Sequence, residues 1–252
     1  MFNFFASEEN RQGDTFHLTG PDCNHIKNVL RMKKGDTFLV SCEGKSHLCA
    51  LSECEDDFAI AEIIEENFQD TELPVKLYLF QGLPKGDKME LIIQKTVELG
   101  VHKIIPVEMN RCVVKLDDKK KKAKTSRWQA IAESAAKQSK RTLVPEISVP
   151  LSYSEAMKEA EKLDLFLVPY ESKRGMEDTA DVLSLIKRDF SVGILVGPEG
   201  GFEEAEVEKA FSAGGKVISL GSRILRTETA AITAVGMCML HTEMRLNGDD
   251  ND

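Results

Sequence analysis

The chain has 252 residues, of which 42% are hydrophobic and 30% are charged, the composition of a soluble globular protein with room for about two domains. No apolar run is long enough to span a membrane and the first residues lack a basic signal segment, so we expect a cytoplasmic protein without a membrane anchor. The formal net charge of −9 argues against indiscriminate nucleic-acid binding but leaves room for a local basic patch, and six cysteines without a CxxC pair argue against a metal site.

Residues 1–70 show short apolar alternations that are typical of β-strands. The alternations lie at 15–18, 37–41, 47–51 and 58–63 and are separated by polar turns. Such close spacing of short strands predicts a small β-barrel. One interruption, at residues 24–32, has Ile26, Val29 and Leu30 at helical spacing and predicts a helix.

Basic side chains accompany this predicted helix. Lys27, Arg31, Lys33 and Lys34 carry positive charges that suit the phosphates of RNA. The same residues also fit a solvated helix face followed by a turn. The pattern alone leaves both interpretations open.

A polar stretch at residues 67–74 predicts a linker, and beyond it strands alternate with helices. Apolar runs predict strands at 75–83, 103–109, 146–149, 163–169, 192–196 and 216–220. Helical spacing predicts a helix that begins at Asp87 and stops at Gly100, and further helices at 154–162, 181–188, 203–213 and 228–245. This alternation is typical of an α/β fold with a mostly parallel sheet.

Two segments of this second part permit two interpretations each. The four lysines 119–122, with Lys115, Lys124 and Arg127 nearby, fit either a solvated mobile loop or a contact with an RNA backbone. Trp128 begins a helical face that we expect in the core. The last predicted helix is apolar on nearly all sides, which indicates burial either in the core or against a partner subunit.

Two glycine-bearing turns follow apolar strands, at residues 197–202 and 220–230. The carboxyl ends of parallel strands form the edge at which open α/β sheets bind ligands, and glycine lets the backbone approach a ligand closely. Neither GxGxxG nor GxxxxGK[ST] occurs there, so the two usual phosphate cradles are disfavoured. We expect the two turns to end adjacent strands and to share one ligand.

The sequences of the two turns, GPEGGF and LGSRILRTETA, resemble the two signature motifs of SPOUT methyltransferases, and closely those of the ribosomal small subunit methyltransferase E family. The resemblance implies a trefoil-knotted α/β domain at 74–246, a PUA-like RNA-binding β-barrel at 1–70 and a disordered acidic tail at 247–252. It also implies a homodimer whose pockets are completed at the subunit interface.

The same resemblance implies that the two turns hold S-adenosylmethionine in a bent conformation. The residues implied to bind the cofactor lie on a strand and on both turns: Leu167, Gly197, Glu199, Gly200, Gly201, Leu220, Gly221, Ser222, Arg223, Ile224 and Leu225. Residues implied to bind RNA are Lys27, Arg31, Lys33, Lys34, Arg111 and Arg141. The family gives no reason to expect a metal ion.

The implied reaction is methylation of uridine N3 in small-subunit ribosomal RNA, within the assembled subunit. Because N3 of uracil is a poor nucleophile until it loses its proton, Arg226 and Arg223 suit the stabilisation of a uridine anion. Glu228 or Glu199 suits the orientation of the base or the uptake of its proton. A plain helix-start role for Glu228 and an ion pair for Arg223 stay open, and we expect the ion pair.

Two other functions also remain compatible with the sequence. A non-catalytic RNA-binding or assembly protein could keep the same fold as a scaffold, and a SPOUT methyltransferase could act on transfer RNA. Binding of S-adenosylmethionine separates the first of these from an enzyme.

Overall fold

A computed structural model describes residues 1–170 and 176–246, so the predicted tail at 247–252 lies outside the described residues. The chain forms two compact units, which we call the first and the second unit. The first comprises Met1–Glu72 with Ala136–Val144, and the second comprises Leu73–Ala135 with the chain from Pro145 onward. Residues 136–144, which lie beyond the predicted linker, thus pack with the first unit.

The first unit contains a six-stranded sheet in the order β1-β4-β5-β6-β3-β2. Its strands are β1 Asn3–Ala6, β2 Arg11–Gln12, β3 Thr15–Thr19, β4 Thr37–Cys42, β5 Lys45–Cys54 and β6 Phe58–Glu65. The four predicted strands are therefore present, and the short β1 and β2 were not predicted. Among the described residues the sheet ends in β1 on one side and β2 on the other, and these two strands do not pair with each other, so the predicted small β-barrel is present as a six-stranded sheet.

The bounds predicted for the helix at 24–32 were wrong. Helix α1 spans Gly20–Asn24 and continues into a π-helical turn at His25–Val29. The earlier start follows from Pro21, whose fixed φ suits the first turn of a helix. The wide turn directs Ile26 into a core that contains Phe4, Phe16 and Phe38. Arg31 then adopts a φ of 52°, which ends the helical segment.

The second unit contains a seven-stranded sheet in the order β10-β8-β7-β12-β11-β13, with β9 beside β8. Every strand pair in it is parallel, as the alternation predicted. Its strands are β7 Lys76–Gly82, β8 Val101–Glu108, β9 Glu146–Ile147, β10 Leu151–Ser152, β11 Leu165–Pro169, β12 Ser191–Val196 and β13 Gly215–Ile218. The strands β12 and β13, which precede the two glycine turns, are not neighbours, because β11 lies between them.

Helices cover this sheet and confirm most of the predicted ones. They are α2 Lys88–Glu98, α3 Asp118–Ser139, α4 Tyr153–Ala160, α5 Met176–Leu183, α6 Glu204–Ser212 and α7 Thr227–Leu246. The four lysines 119–122 lie within α3, so the loop interpretation was wrong. The helix predicted at 181–188 lies earlier, because the buried side chains of Thr179 and Leu183 continue the same spacing toward the N-terminus.

The last helix, α7, packs against α2 and against the central strands β7 and β12. Its buried face consists of small residues and includes Ala231, Ala234 and Cys238. The core buries only part of α7, because Leu240 is 52% exposed and Met244 is 73% exposed in a single copy, so burial of this face against a partner subunit stays a prediction. An apolar outer face therefore remains on α7.

Two searches of the described residues gave negative results. No group of three or more His, Cys, Asp or Glu side chains at 1–170 or 176–246 is placed to hold a metal ion. Over the same ranges no helix has the length and apolar character that a membrane crossing requires.

Candidate functional site

A cavity of about 550 Å³ lies at the carboxyl edge of the second unit's sheet. The first glycine turn forms one wall, and the segment that leads into α7 forms another. Pro169 and Tyr170, at the end of β11, form a third wall, and Lys88 reaches in from the start of α2. The three chain segments that meet here end parallel strands, so the cavity occupies the usual ligand edge of such a sheet.

The first glycine turn is held by close approaches that side chains would prevent. A Cβ on Gly82, at the end of β7, would lie 2.6 Å from Cδ of Pro198, and a Cβ on Gly197 would lie 3.3 Å from the ring of Phe202. Gly201 has a φ of 68°, in the left-handed region that favours glycine. The turn therefore depends on glycine at several points.

A buried chain of hydrogen bonds ties the second turn to the first. Gln81 donates from Nε2 to Oγ1 of Thr227 over 3.0 Å, and Thr227 donates from Oγ1 to the carbonyl oxygen of Gly197 over 2.6 Å. Gln81 also donates to the carbonyl oxygen of Gly82. Sequence reasoning missed both Gln81 and Thr227, and only a polar residue at the end of an otherwise apolar strand could have indicated Gln81.

Lys88 joins two acidic residues at the mouth of the cavity. Its Nζ lies 2.9 Å from Oε1 of Glu199 and 3.4 Å from Oε2 of Glu228, which is an ion-pair distance. Burial opposes the charge of Glu199, but hydrogen bonds from Lys88 and from the backbone outweigh it and hold the pKa of that carboxyl below its ordinary value. The hydrogen bond with Glu199 raises the pKa of Lys88.

The sequence analysis also did not identify Lys88 as a site residue. The signal that could have found it is its position, because a lysine in the first helical residue is opposed by the helix dipole. A lysine at this position therefore indicates a role other than stabilising the helix.

Arg223 and Arg226 are exposed and form no ion pair with any described residue. The ion pair expected for Arg223 is therefore not found. Glu228 lies in the first turn of α7, as the helix-start interpretation predicted. Its carboxylate also forms an ion pair with Lys88.

The residues implied to bind the cofactor fall into two groups. Gly197, Glu199, Gly201, Ile224 and Leu225 line the cavity, whereas Gly200, Leu220, Gly221, Ser222 and Arg223 lie outside its lining. Leu167 is fully buried inside β11 and does not line it either, because the strand runs two residues further before it reaches the edge. Pro169 and Tyr170 occupy that wall instead.

The cavity fits an adenosine that carries a cationic amino-acid tail. The backbone N–H groups of Ile224 and Leu225 donate no hydrogen bond to any residue that the structure describes, so they are available to a polar ring. Leu225 and Val196 provide apolar walls, and Glu199 provides an anionic group. The volume lies within the usual range of cofactor sites.

The residues implied to bind RNA also differ from one another in exposure and in ion pairing. Arg31, Lys33 and Lys34 are exposed and form no ion pair within the described chain, whereas Lys27 pairs with Asp56. Arg111 is exposed and donates from Nη1 to the carbonyl oxygen of Gly200 over 3.0 Å.

Arg141 was wrongly assigned to RNA binding. Its side chain is 3% exposed, and its guanidinium group pairs with the carboxylate of Glu72 inside the first unit. Glu72 also accepts hydrogen bonds from the backbone of Thr142. The residue is structural, because a buried and paired guanidinium group cannot reach phosphate.

Comparisons with known proteins agree with this geometry. A family model described as an RNA methyltransferase domain matches residues 71–239, and one described as an RNA methyltransferase PUA domain matches residues 18–67. The chain is 42% identical to ribosomal RNA small subunit methyltransferase E of Bacillus subtilis, over 97% of this chain and 96% of that protein. It is 34% identical to the enzyme of the same name from Mesomycoplasma hyopneumoniae, over 95% of this chain and 99% of that one.

A solved structure shows the same agreement in three dimensions. The crystal structure of ribosomal RNA small subunit methyltransferase E from Neisseria gonorrhoeae, bound to S-adenosyl methionine, matches with a TM-score of 0.80 and 34% identity. The match covers 95% of this chain and 97% of that one. The glycine turns, the cavity and these relatives together establish that the chain belongs to the ribosomal RNA small subunit methyltransferase E family.

Proposed function

We propose that this chain transfers the methyl group of S-adenosylmethionine to N3 of a uridine in small-subunit ribosomal RNA. The observation that supports this most is the cavity formed by both signature turns, with exposed arginines beside it, in a member of this family. When bound, the cofactor supplies an electrophilic methyl group. The protein must then bind the cofactor, place the base and favour loss of its N3 proton.

The two glycine turns are proposed to bind the cofactor. The backbone N–H groups of Ile224 and Leu225 suit the adenine edge, and Glu199 suits the cationic tail. The glycine residues of the first turn leave room for the backbone to approach the ligand. The other residues of the two turns that the resemblance assigns to the cofactor are Gly200 and residues 220–223. They are proposed to support the shape of the turns without lining the cavity.

Arg226 is proposed as the main catalytic residue. It lines the cavity, is exposed and has no ion pair among the described residues, so its charge is free to face a uracil oxygen as the anion develops. Arg223 lies three residues earlier on the same exposed segment and is proposed to assist it. Glu199 faces the cavity and is proposed to orient the base, since a carboxylate whose pKa is held below its ordinary value is a weak proton acceptor.

Glu228 is proposed to act through Lys88. Its Oε2 atom is buried and has no hydrogen-bond partner among the described residues, which does not suit direct contact with RNA. Its ion pair with Lys88 instead helps to hold that ammonium group against Glu199. Glu228 and Lys88 are thus positioning residues for the cavity.

The two domains are proposed to divide the work. Residues 1–70 form a PUA-like domain that recruits RNA through Arg31, Lys33, Lys34 and, with a weaker share, the paired Lys27. Residues 74–246 form the SPOUT domain that carries the chemistry. The return of α7 from the edge strand β13 to the central strands is compatible with the knotted path that the resemblance implies.

A homodimer acting on the assembled small subunit in the cytoplasm completes the proposal. The exposed Leu240 and Met244 on α7, and Ile224 at 90% exposure beside the cavity, are apolar surfaces that a second copy would cover. A cavity with an uncovered apolar side chain at its mouth suits a site that is completed by a partner subunit.

The test is single-turnover methylation of small subunits from cells that lack the enzyme. Arg226→Ala is expected to bind S-adenosylmethionine normally and to transfer methyl about 10² to 10³ times more slowly, because a charge that stabilises the transition state is lost. Arg226→Lys should recover part of the rate. A wild-type rate in Arg226→Ala would exclude the assigned role.

Mass spectrometry of the nucleosides identifies the substrate. Methyluridine in small-subunit rRNA is expected only in cells that carry the active chain. Methylation of transfer RNA instead, or cofactor binding without any product, would overturn the proposal in favour of the two alternatives.

A further inference from the structure

The loop after β8 and the first turns of α3 form a strongly basic surface. Residues 111–127 contain eight Lys or Arg and two Asp, a formal charge of +6 in a chain whose total is −9. We call Arg111, Lys115, Lys119 and Lys122 the α3 strip. All four are exposed. The chain therefore concentrates positive charge here against its overall balance.

Neighbouring cations are neutralised within the second unit, but the strip is not. Lys120 pairs with Asp117, Lys121 pairs with Glu108 and Arg127 pairs with Glu90. Lys124 lies over the ring of Trp128. In contrast, Lys115, Lys119 and Lys122 form no ion pair with any described residue. Their charges are available to an external anion.

Helix stability does not explain these lysines. Positive charge at the N-terminal end of a helix opposes the helix dipole, and like charges three residues apart repel. Lys119 and Lys122 lie in the first turns of α3 at that spacing. Asp117 offsets part of the cost by accepting a hydrogen bond from the backbone N–H of Lys120. An anionic ligand on the outer face would offset the rest.

The strip begins beside the cofactor cavity. Arg111 donates to the carbonyl oxygen of Gly200 in the first glycine turn, and Asn110 donates from its backbone to Glu206 of α6. Further along, Lys121 Nζ lies 2.7 Å from Oε2 of Glu108 at the carboxyl end of β8. These contacts place Arg111 and the first turns of α3, from which Lys119 and Lys122 extend, at the carboxyl edge of the sheet where the cavity lies.

We infer that the α3 strip binds the phosphate backbone of the substrate RNA next to the nucleotide in the cavity. The inference rests on the proposed function, since it takes ribosomal RNA as the substrate. Phosphate is the anion that matches a row of exposed lysines without shaped pockets, and each contact releases counterions. The RNA contact surface then includes the catalytic unit itself as well as the PUA-like domain.

The test compares two triple variants of the full chain. Lys115→Gln/Lys119→Gln/Lys122→Gln removes the strip's lysines. Lys158→Gln/Lys187→Gln/Lys209→Gln removes three other exposed lysines of the second unit that have no ion pair among the described residues. Affinity for protein-free small-subunit rRNA and for whole small subunits is measured at several salt concentrations, together with affinity for S-adenosylmethionine.

The strip variant is expected to lose about 0.7 in salt slope per lost contact, so that between 50 and 200 mM salt the wild type weakens about 20-fold more than the variant. Cofactor affinity should match the wild type, which shows that the site is folded. The control variant should keep the wild-type slope.

Three results would overturn the inference. One is an unchanged salt slope in the strip variant while the wild type methylates rRNA, which leaves the proposed function intact. Another is an equal loss of slope in the control variant, which would reduce the strip to general surface charge. The third is a loss of affinity for whole subunits but not for protein-free rRNA, which would assign the strip to ribosomal protein. A wild type that methylates no rRNA would instead refute the proposed function.

Discussion

Lys88 is the side chain whose removal tests the charge arrangement at the cavity. In Lys88→Gln, the carboxylates of Glu199 and Glu228 lose the ammonium group between them, so the pKa of Glu199 should rise. In the wild type this pKa is held below its ordinary 4.5, so the ion pair stabilises the fold above that pH and the gain disappears as pH falls through the folded value. We therefore expect a lower thermal midpoint for the variant at about pH 7, and a gap to the wild type that narrows as the pH falls below 4.5 and through the folded pKa of Glu199.

The matched control for this prediction is Lys95→Gln on the same helix. Lys95 pairs with Glu98 one turn away at the surface, a type of pair that contributes little. Lys88→Arg should restore most of the thermal midpoint, because it keeps a positive charge beside the two carboxylates. A gap between Lys88→Gln and wild type that does not narrow as the pH falls below 4.5 and through the folded pKa of Glu199 would contradict the assignment.

Individual site residues were predictable where chemistry and chain position coincide. Gly197, Gly201 and Leu225 lie in the turns themselves, and they line the cavity as the resemblance implied. Lys88 and Gln81 could not be placed, because each lies more than one hundred residues before the turns that it contacts. The assignment of Arg141 to RNA binding failed because the sequence does not show that its side chain is buried in an ion pair with Glu72.

Helix α7 tests the proposed dimer. Leu240→Glu/Met244→Glu places two charges on its exposed apolar face and leaves the buried face unchanged. If that face packs against a second copy, the variant should sediment as a monomer at micromolar concentration, because burying unpaired carboxylates is costly. Phe211→Glu, which charges an exposed apolar side chain on α6 instead of α7, is the matched control and should remain a dimer.

The dimer proposal fails if the wild type itself sediments as a monomer at micromolar concentration and is still active. It also fails if the double variant remains a dimer with normal stability. In either case the exposed face of α7 would need another explanation.

Helices and strands with strong periodicity were predicted well, and their arrangement was not. The helix at α2 begins after Asp87 and stops before Gly100 as expected. Its end follows from the left-handed glycine, which is a local signal, whereas the Asp87 side chain makes no capping hydrogen bond. The order of strands is not local. The sequence could not show that β11 separates β12 from β13, because crossover connections leave no pattern in the residues they join.

For the chain as a whole, the proposed division of labour predicts separable defects. Lys33→Gln/Lys34→Gln removes two exposed charges from the first unit, so RNA affinity should fall and its salt slope should flatten by about 0.7 per lost contact. Cofactor affinity should not change, because the cavity is formed entirely by the second unit. Binding is measured with protein-free rRNA and, for the cofactor, by calorimetry.

The control is Lys45→Gln/Lys140→Gln, which removes two other charges from the first unit. An unchanged salt slope in Lys33→Gln/Lys34→Gln would mean that the first unit does not recruit RNA through this segment. A loss of cofactor affinity would mean that the two functions are not separable.

The hydrogen bonds from Gln81 to Thr227 and from Thr227 to Gly197 also bear on when the protein becomes competent during its own synthesis. Gln81 and Thr227 are 146 residues apart in the chain, and Thr227 is the first residue of α7. A nascent chain that has not yet released its final helix from the ribosome lacks the residue that joins the two turns. Long-range closure of this kind comes late in folding. The protein would thus complete its cavity only after the start of α7 has emerged from the ribosome that synthesises it.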